Sequence, residues 1–289
     1  MKELISKGST SFIYKVTDID RTYVWKVLDS RVNTREIISV ETAYKKEVKA
    51  LKSVTHRNII SLIDHEQLSP SEFSISLPHC AGGSLFNLVH RSKNPPLSLK
   101  MKKKIFADLL GAIHAIHSLK DPLIHADIKS LNLLLVSPVL REETVPWLKL
   151  CDFGSSRFKS ETPSNGTVTV GTVQWMPPEV IEGDPPGTEA DIYSVGIVLQ
   201  EVIYRKIPFD GVSENLIMGM VLRGERPLHY PQLLERDKLS NIIPIIDDCL
   251  SQKPSGRPTI DQLEDRINEL FVATGVSSGF TSISSTSAT

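Results

Sequence analysis

Four polar side chains in the middle of the chain have the types and spacing that chemistry on phosphate requires. Asp127, Lys129 and Asn132 share one short stretch, His-Ala-Asp-Ile-Lys-Ser-Leu-Asn from His125 to Asn132, and Asp152 follows in Cys151-Asp152-Phe153-Gly154. An acid at Asp127 can orient an attacking hydroxyl. A cation at Lys129 can steady a phosphoryl group in transit, and Asn132 with Asp152 offers hard oxygens to metal ions. A lone Asp in a loop is more often a cap, but Lys129 and Asn132 at these offsets make capping a poor account of Asp127.

The elements that must position these groups can be read from hydrophobic periodicity. Leu4–Ile5 and Phe12–Val16 read as strands around a Gly/Ser/Thr turn, Tyr23–Leu28 as a third strand, and Ile59–Ile63 and Phe73–Leu77 as two more. Val40, Ala43, Tyr44, Val48 and Leu51 fall on one helical stripe. After Cys80-Ala-Gly-Gly-Ser the pattern becomes helical, with stripes over Ile105–Ile116 and Ile192–Val202 and helices near Asn215–Leu222, Leu239–Leu250 and Thr259–Phe271. The Ser137–Pro146 insert reads as a solvated surface loop. The Ser/Thr/Gly-rich residues 274–289 read as a disordered tail.

Composition narrows the function classes. The 289 residues carry 33 basic and 34 acidic side chains, so no overall field calls for nucleic acid or an acidic membrane surface. No apolar run reaches the roughly 20 residues of a membrane span, and no secretory leader or lipidation motif is visible. The cysteines Cys80, Cys151 and Cys249 are isolated and lack metal-ligand spacing. The expectation is a reduced, cytoplasmic or nuclear protein without membrane insertion.

The order of these motifs resembles the eukaryotic protein-kinase superfamily over about residues 3–271: a catalytic loop, then the Asp-Phe-Gly metal motif. Gly171-Thr172-Val173-Gln174-Trp175-Met176-Pro177-Pro178-Glu179 is similar to the segment closing a kinase activation loop. It looks most like the tyrosine-kinase-like group of Ser/Thr kinases, which includes mixed-lineage and Raf-type enzymes. The resemblance implies an α+β, bilobal fold: a small antiparallel β-sheet lobe with one helix (about 1–79) and a large, mainly helical lobe (about 80–273).

Residue by residue, the resemblance makes Lys26 the phosphate-binding lysine and Glu47 its carboxylate partner. Asp127 becomes the base or orienter of the substrate hydroxyl, Lys129 its catalytic companion, and Asn132 and Asp152 the Mg2+ ligands. Lys129 argues for Ser/Thr rather than Tyr acceptors. Ser6 and Gly8, with Ser11, stand where the family has its glycine-rich phosphate loop, and only the middle glycine is kept. Ile13, Val24 and Leu134 would sandwich adenine, Leu77 would back the pocket, and the Cys80 N–H would serve as hinge donor, its thiol a candidate for covalent ligands. His125 would pack beneath Phe153 in a column with Leu51 and Leu62. Thr172 would bond Asp127 and Lys129. Glu179 would pair with Arg257, and Asp191 would cap the backbone of the catalytic loop.

Where the family has Arg beside the catalytic Asp, this chain has Ala126. That Arg receives an activation-loop phosphate, so Ala126 implies activity without the usual clamp. The loop hydroxyls Ser155, Ser156, Ser160, Thr162, Ser164, Thr167 and Thr169 are then dispensable for it. The resulting reading is a Ser/Thr protein kinase using ATP with Mg2+ or Mn2+, acting on protein hydroxyls and controlled by a regulatory protein partner. The alternative is a pseudokinase-like nucleotide-binding scaffold, motivated by the eroded glycine loop and Ala126. Phosphorylation of a small molecule is disfavoured by the peptide-docking look of Thr172–Glu179.

Overall fold

The computed structural model describes residues 1–8, 11–29, 37–91, 96–141, 143–162, 173–235 and 239–275. Thr172, the loop hydroxyls Ser164, Thr167 and Thr169, Glu142 of the insert, and the tail from residue 276 lie outside the described residues.

The first half of the small lobe folds as the period-2 runs dictate. β1 (Lys2–Lys7), β2 (Ser11–Thr17), β3 (Thr22–Asp29), β4 (Asp64–Ser69) and β5 (Glu72–Pro78) form one antiparallel sheet in the order β1-β2-β3-β5-β4. α1 (Ile37–Ser53) packs on it through Val40, Tyr44, Val48 and Leu51, the stripe seen in the sequence. The register of β2 on β3 sets Ile13 opposite Lys26, and that of β3 on β5 sets Val24 opposite Leu77. Three adenine-pocket candidates and the lysine therefore share neighbouring rungs of one ladder.

The expected strand at Ile59–Ile63 is not one. Ile59 makes a single bridge to Leu150, and Ile60 donates its N–H to the Leu150 carbonyl at 2.9 Å. Ile59 and Ile60 are buried because they join the small lobe to the large lobe's core. The real edge strand is the polar β4, whose composition carries little apolar signal because one edge and most of its side chains face water.

The large lobe comprises α2 (Leu85–His90), α3 (Leu99–His117), α4 (Pro178–Ile181), α5 (Thr188–Tyr204), α6 (Glu214–Leu222), α7 (Ile242–Cys249) and α8 (Ile260–Ala273). Two short ribbons complete it: β6 (Leu123–Ile124) with β9 (Arg157–Phe158), and β7 (Leu133–Leu135) with β8 (Leu148–Leu150). α5 is buried on every side from Ala190 to Tyr204, as expected of a helix apolar all round. α8 opens on a capping box in which Thr259 and Gln262 exchange bonds. α7 starts three residues later than its apolar run because Leu239 is buried in a turn, its carbonyl accepting the Ile242 N–H at 2.9 Å. The Ser137–Pro146 insert is largely exposed, but Val139 is buried and anchors it.

The link between lobes is pinned by close backbone approach. Gly82 donates its N–H to the Leu135 carbonyl at 3.0 Å, and a Cβ at this position would lie 2.4 Å from the Ser137 carbonyl oxygen. Only glycine lets the chain after Cys80 lie against β7, which carries Leu134. Among the described residues no helix is long and apolar enough to cross a membrane.

Candidate active site

Three charged groups from three elements meet between the lobes. Lys26 of β3 directs Nζ to both oxygens of Glu47 on α1, at 3.0 and 2.8 Å, and to Oδ1 of Asp152 at 2.8 Å. Glu47 is only 1% exposed. Burial works against the Lys26 charge, yet Asp152 and Glu47 together outweigh it and raise the lysine's pKa. Asp152 moves the other way: the Lys26 ammonium lowers its carboxyl from 3.8 to about 2, against the opposing effect of burial. Burial pushes Glu47 up, with Lys26 pulling against it.

The second cluster lies on the loop after β6. Lys129 Nζ donates to both Asp127 oxygens, at 2.9 and 2.7 Å. Asn132 Nδ2 donates to the Asp127 carbonyl at 2.8 Å and to Asp127 Oδ2 at 2.9 Å. With its amide nitrogen so engaged, Asn132 has its Oδ1 left as the acceptor for another group. Asp127, Lys129 and Asn132 thus form one hydrogen-bonded unit, as their spacing suggests.

This loop is held in an unfavourable conformation by groups beneath it. Ala126 has φ 63°, a left-handed value that costs a residue with a Cβ about 1–2 kcal/mol. Asp191 of α5, buried, accepts the His125 and Ala126 N–H groups at 2.9 Å each and meets His117 Nε2 at 2.9 Å. His125 Nε2 meets the Cys151 carbonyl at 3.1 Å, and its ring stands edge-on to Phe153 with centroids 4.7 Å apart. Asp152 has φ 65°, so both acid-bearing turns contain a left-handed residue.

Glu201 of α5 is a further anchor that motif reading passed over. Its carboxylate accepts from Ser130 Oγ at 2.6 Å and from Trp175 Nε1 at 3.2 Å, and meets His90 Nε2 at 2.7 Å. One buried carboxylate thereby joins the catalytic-type loop, α2 and the segment after residue 172. A Glu inside the apolar run of α5 was the available signal. Arg257 donates to both oxygens of Glu179, at 2.6 and 2.7 Å, the pair that the family resemblance implied.

Other candidates are placed with less engagement. Ser6 pairs with Ile13 in the β1–β2 ladder, and the Gly8 N–H is used by the Ser11 carbonyl at 2.8 Å. Cys80 packs against the core, and burial raises its thiol pKa, which lowers the thiolate fraction a covalent ligand would need. Burial raises Cys151 further, consistent with a filler role. Among the described residues no three His, Cys, Asp or Glu side chains are grouped to hold a metal. Asp152 and Asn132 provide two hard oxygen donors, the number at which Mg2+ is ordinarily completed by substrate phosphates and water.

The pattern described as "Protein kinase domain" matches residues 1–266. The chain belongs to the protein kinase family. Similar curated proteins include mitogen-activated protein kinase kinase kinase 7 of Drosophila melanogaster, 31% identical over 272 residues, covering 93% of this chain and 37% of that protein. Serine/threonine-protein kinase CTR1 of Arabidopsis thaliana is 27% identical over 272 residues, covering 94% of this chain and 31% of that protein. Mitogen-activated protein kinase kinase kinase dlk-1 of Caenorhabditis elegans is 31% identical over 221 residues, covering 75% of this chain and 22% of that protein. The chain therefore spans about a third or less of these relatives' lengths. The bilobal kinase fold and the tyrosine-kinase-like kinship expected from the motifs both hold.

Proposed function

We propose that the chain is a Ser/Thr protein kinase whose catalytic unit spans residues 1–273 and transfers the γ-phosphoryl group of ATP to protein hydroxyls. The observation that carries this reading is the pairing of two intact clusters, Lys26–Glu47–Asp152 and Asp127–Lys129–Asn132, across one cleft. The family as a whole uses ATP and a divalent metal, and relatives named as serine/threonine kinases favour Ser/Thr acceptors.

The donor set fits a Mg·ATP complex. Asp152 and Asn132 are the residues that would hold Mg2+, or Mn2+ in its place, and the ion when bound neutralises charge on the phosphates. Asp152 stays ionised throughout the physiological range, since its carboxyl titrates near 2. Lys26, kept in place by Glu47, directs a permanent positive charge to the phosphates. Asp127 accepts or orients the proton of the acceptor hydroxyl, and Lys129, already on Asp127, offers its charge to the phosphoryl group as it moves. The Cys80 backbone N–H serves as hinge donor, with Ile13, Val24, Leu77 and Leu134 around the base. Ser6 and Gly8 cover the phosphates, and Thr172 completes the acceptor side.

The test is phosphorylation of a generic protein substrate by purified chain with Mg·ATP. Asp152→Asn should lower the rate by about 100-fold or more, the scale of losing a dedicated electrostatic group, while the fold is kept. Nucleotide binding without transfer in the unmutated chain would instead favour the scaffold alternative, which the single glycine of the phosphate loop motivates.

A further inference from the structure

The described start of the activation segment, Arg157–Thr162, is fastened on two sides. On the large-lobe side, β9 pairs with β6, and Lys159 donates its N–H to the Pro122 carbonyl at 2.8 Å. Ser160 donates to Asp121 through its N–H at 3.1 Å and its hydroxyl at 2.5 Å. Arg157 holds the Pro186 carbonyl at 2.9 Å and the Glu161 carbonyl at 2.5 Å.

On the small-lobe side the attachment is to α1. Lys49 Nζ meets Glu161 Oε1 at 2.6 Å and stands 4.4 Å from the centre of the Phe158 ring. The second Glu161 oxygen accepts the Phe158 N–H at 3.0 Å, so the carboxylate is oriented by its own segment before Lys49 reaches it. Lys49 lies two residues beyond Glu47 on the same helix. A helix moves as a unit, so whatever draws α1 away from Glu161 also moves Glu47 relative to Lys26.

We propose that Lys49 and Glu161 are positioning residues for phosphoryl transfer: their ion pair keeps α1 against the activation segment and so keeps Glu47 on Lys26. The carboxylate is part of the chain, and it gives this segment a fixed negative charge in a protein whose Ala126 offers no cation to a phosphate. This rests on the kinase reading above. An exposed ion pair adds little to stability, so its effect is expected on nucleotide handling rather than on folding.

A charge-swap cycle tests it. Lys49→Glu, Glu161→Lys and the double swap are compared for ATP KM, peptide KM, kcat, melting temperature and the affinity of a non-hydrolysable Mg·ATP analogue by calorimetry. Each single change should raise ATP KM and weaken the analogue about two- to fivefold, leaving peptide KM and melting temperature in place. The double swap should return both nucleotide readouts to near the unmutated values. Glu161→Gln, which removes the charge without introducing repulsion, should fall at the low end of the range. Single variants indistinguishable from the unmutated chain, or a double swap no better than the worse single, would overturn the proposal. The two readings separate cleanly: swap rescue of analogue affinity in a chain that transfers no phosphate supports the pair and sinks the kinase reading. A flat cycle in an active chain sinks the pair alone.

Discussion

The catalytic loop and helix α1 are both placed by carboxylates, but in opposite surroundings. The loop rests on Asp191 and Glu201, each about 1% exposed, on a helix that is itself buried all round. α1 is held on its cleft side by the buried Glu47 and on its outer side by an ion pair whose side chains are 59% and 32% exposed. Buried carboxylates that accept several hydrogen bonds cannot be removed without leaving donors unsatisfied. Exposed pairs exchange with water at little cost. The loop is therefore fixed by buried carboxylates alone, whereas α1 combines one buried carboxylate with an attachment that can exchange with water.

The widest gap between the two regions should appear at Asp191. Asp191→Ala strands the His125 and Ala126 N–H groups and is expected to cost about 3–5 kcal/mol, measured by urea unfolding. A cost below 1 kcal/mol would erase the contrast. Glu201→Gln keeps the shape but turns an amide towards donors from Ser130 and Trp175, and about 1–3 kcal/mol should be lost in the same measurement. Ala126→Gly relieves the left-handed strain but adds chain entropy to the unfolded state; the two effects oppose, and the net change should stay within about 1 kcal/mol. A large loss there would mean that the alanine methyl itself supports the loop.

Smaller effects are expected on the activation segment. Replacing Thr162, Ser164, Thr167 and Thr169 together with Ala should cut phosphate transfer by less than tenfold, under about 1.4 kcal/mol in the barrier. Ser155, Ser156 and Ser160 are left out because Ser155 lies in the tight turn with Phe153, Ser156 Oγ bonds the Phe153 carbonyl at 2.6 Å and Ser160 bonds Asp121. A further effect concerns pH. A carboxyl lowered from 3.8 to about 2 in the folded protein contributes stability above the higher value and loses it as pH falls through the lower. The difference in unfolding free energy between the unmutated chain and Asp152→Asn should thus be flat from pH 5 to 8 and change only below about pH 4.

Much of the cleft-facing chemistry was legible because it lies on strongly patterned elements. Lys26 lies within an aromatic and β-branched strand and Glu47 shares a helical face with Leu51, so their elements were legible, but their pairing was implied by the family resemblance. Asp127, Lys129 and Asn132 are near neighbours in sequence, and local spacing carries their contacts. Asp191 and the Glu179–Arg257 pair were found through the family resemblance rather than through any pattern. Glu201 and the Lys49–Glu161 pair join residues 71 and 112 positions apart, and no local pattern encodes such a meeting. The polar β4 was missed, and Ile59–Ile63 mistaken for a strand, because burial between lobes and burial in a sheet produce the same short apolar run.

Lys26 Nζ lies within 3.0 Å of three carboxylate oxygens: the two of Glu47, which share one side of the ammonium, and one of Asp152. Two carboxylates already crowd the ammonium, so an arriving anion has to share it with them or displace one. The two carboxylates are unequal leaving groups. Glu47 is 1% exposed, whereas the Asp152 side chain is 45% exposed and open to water on one side. Asp152 is the one to be exchanged, and its release frees the oxygen that a cation would need. On the proposed kinase reading, the lysine and a bound metal would compete for the same Asp152 oxygen, and cation concentration would then bear on how readily Lys26 becomes available.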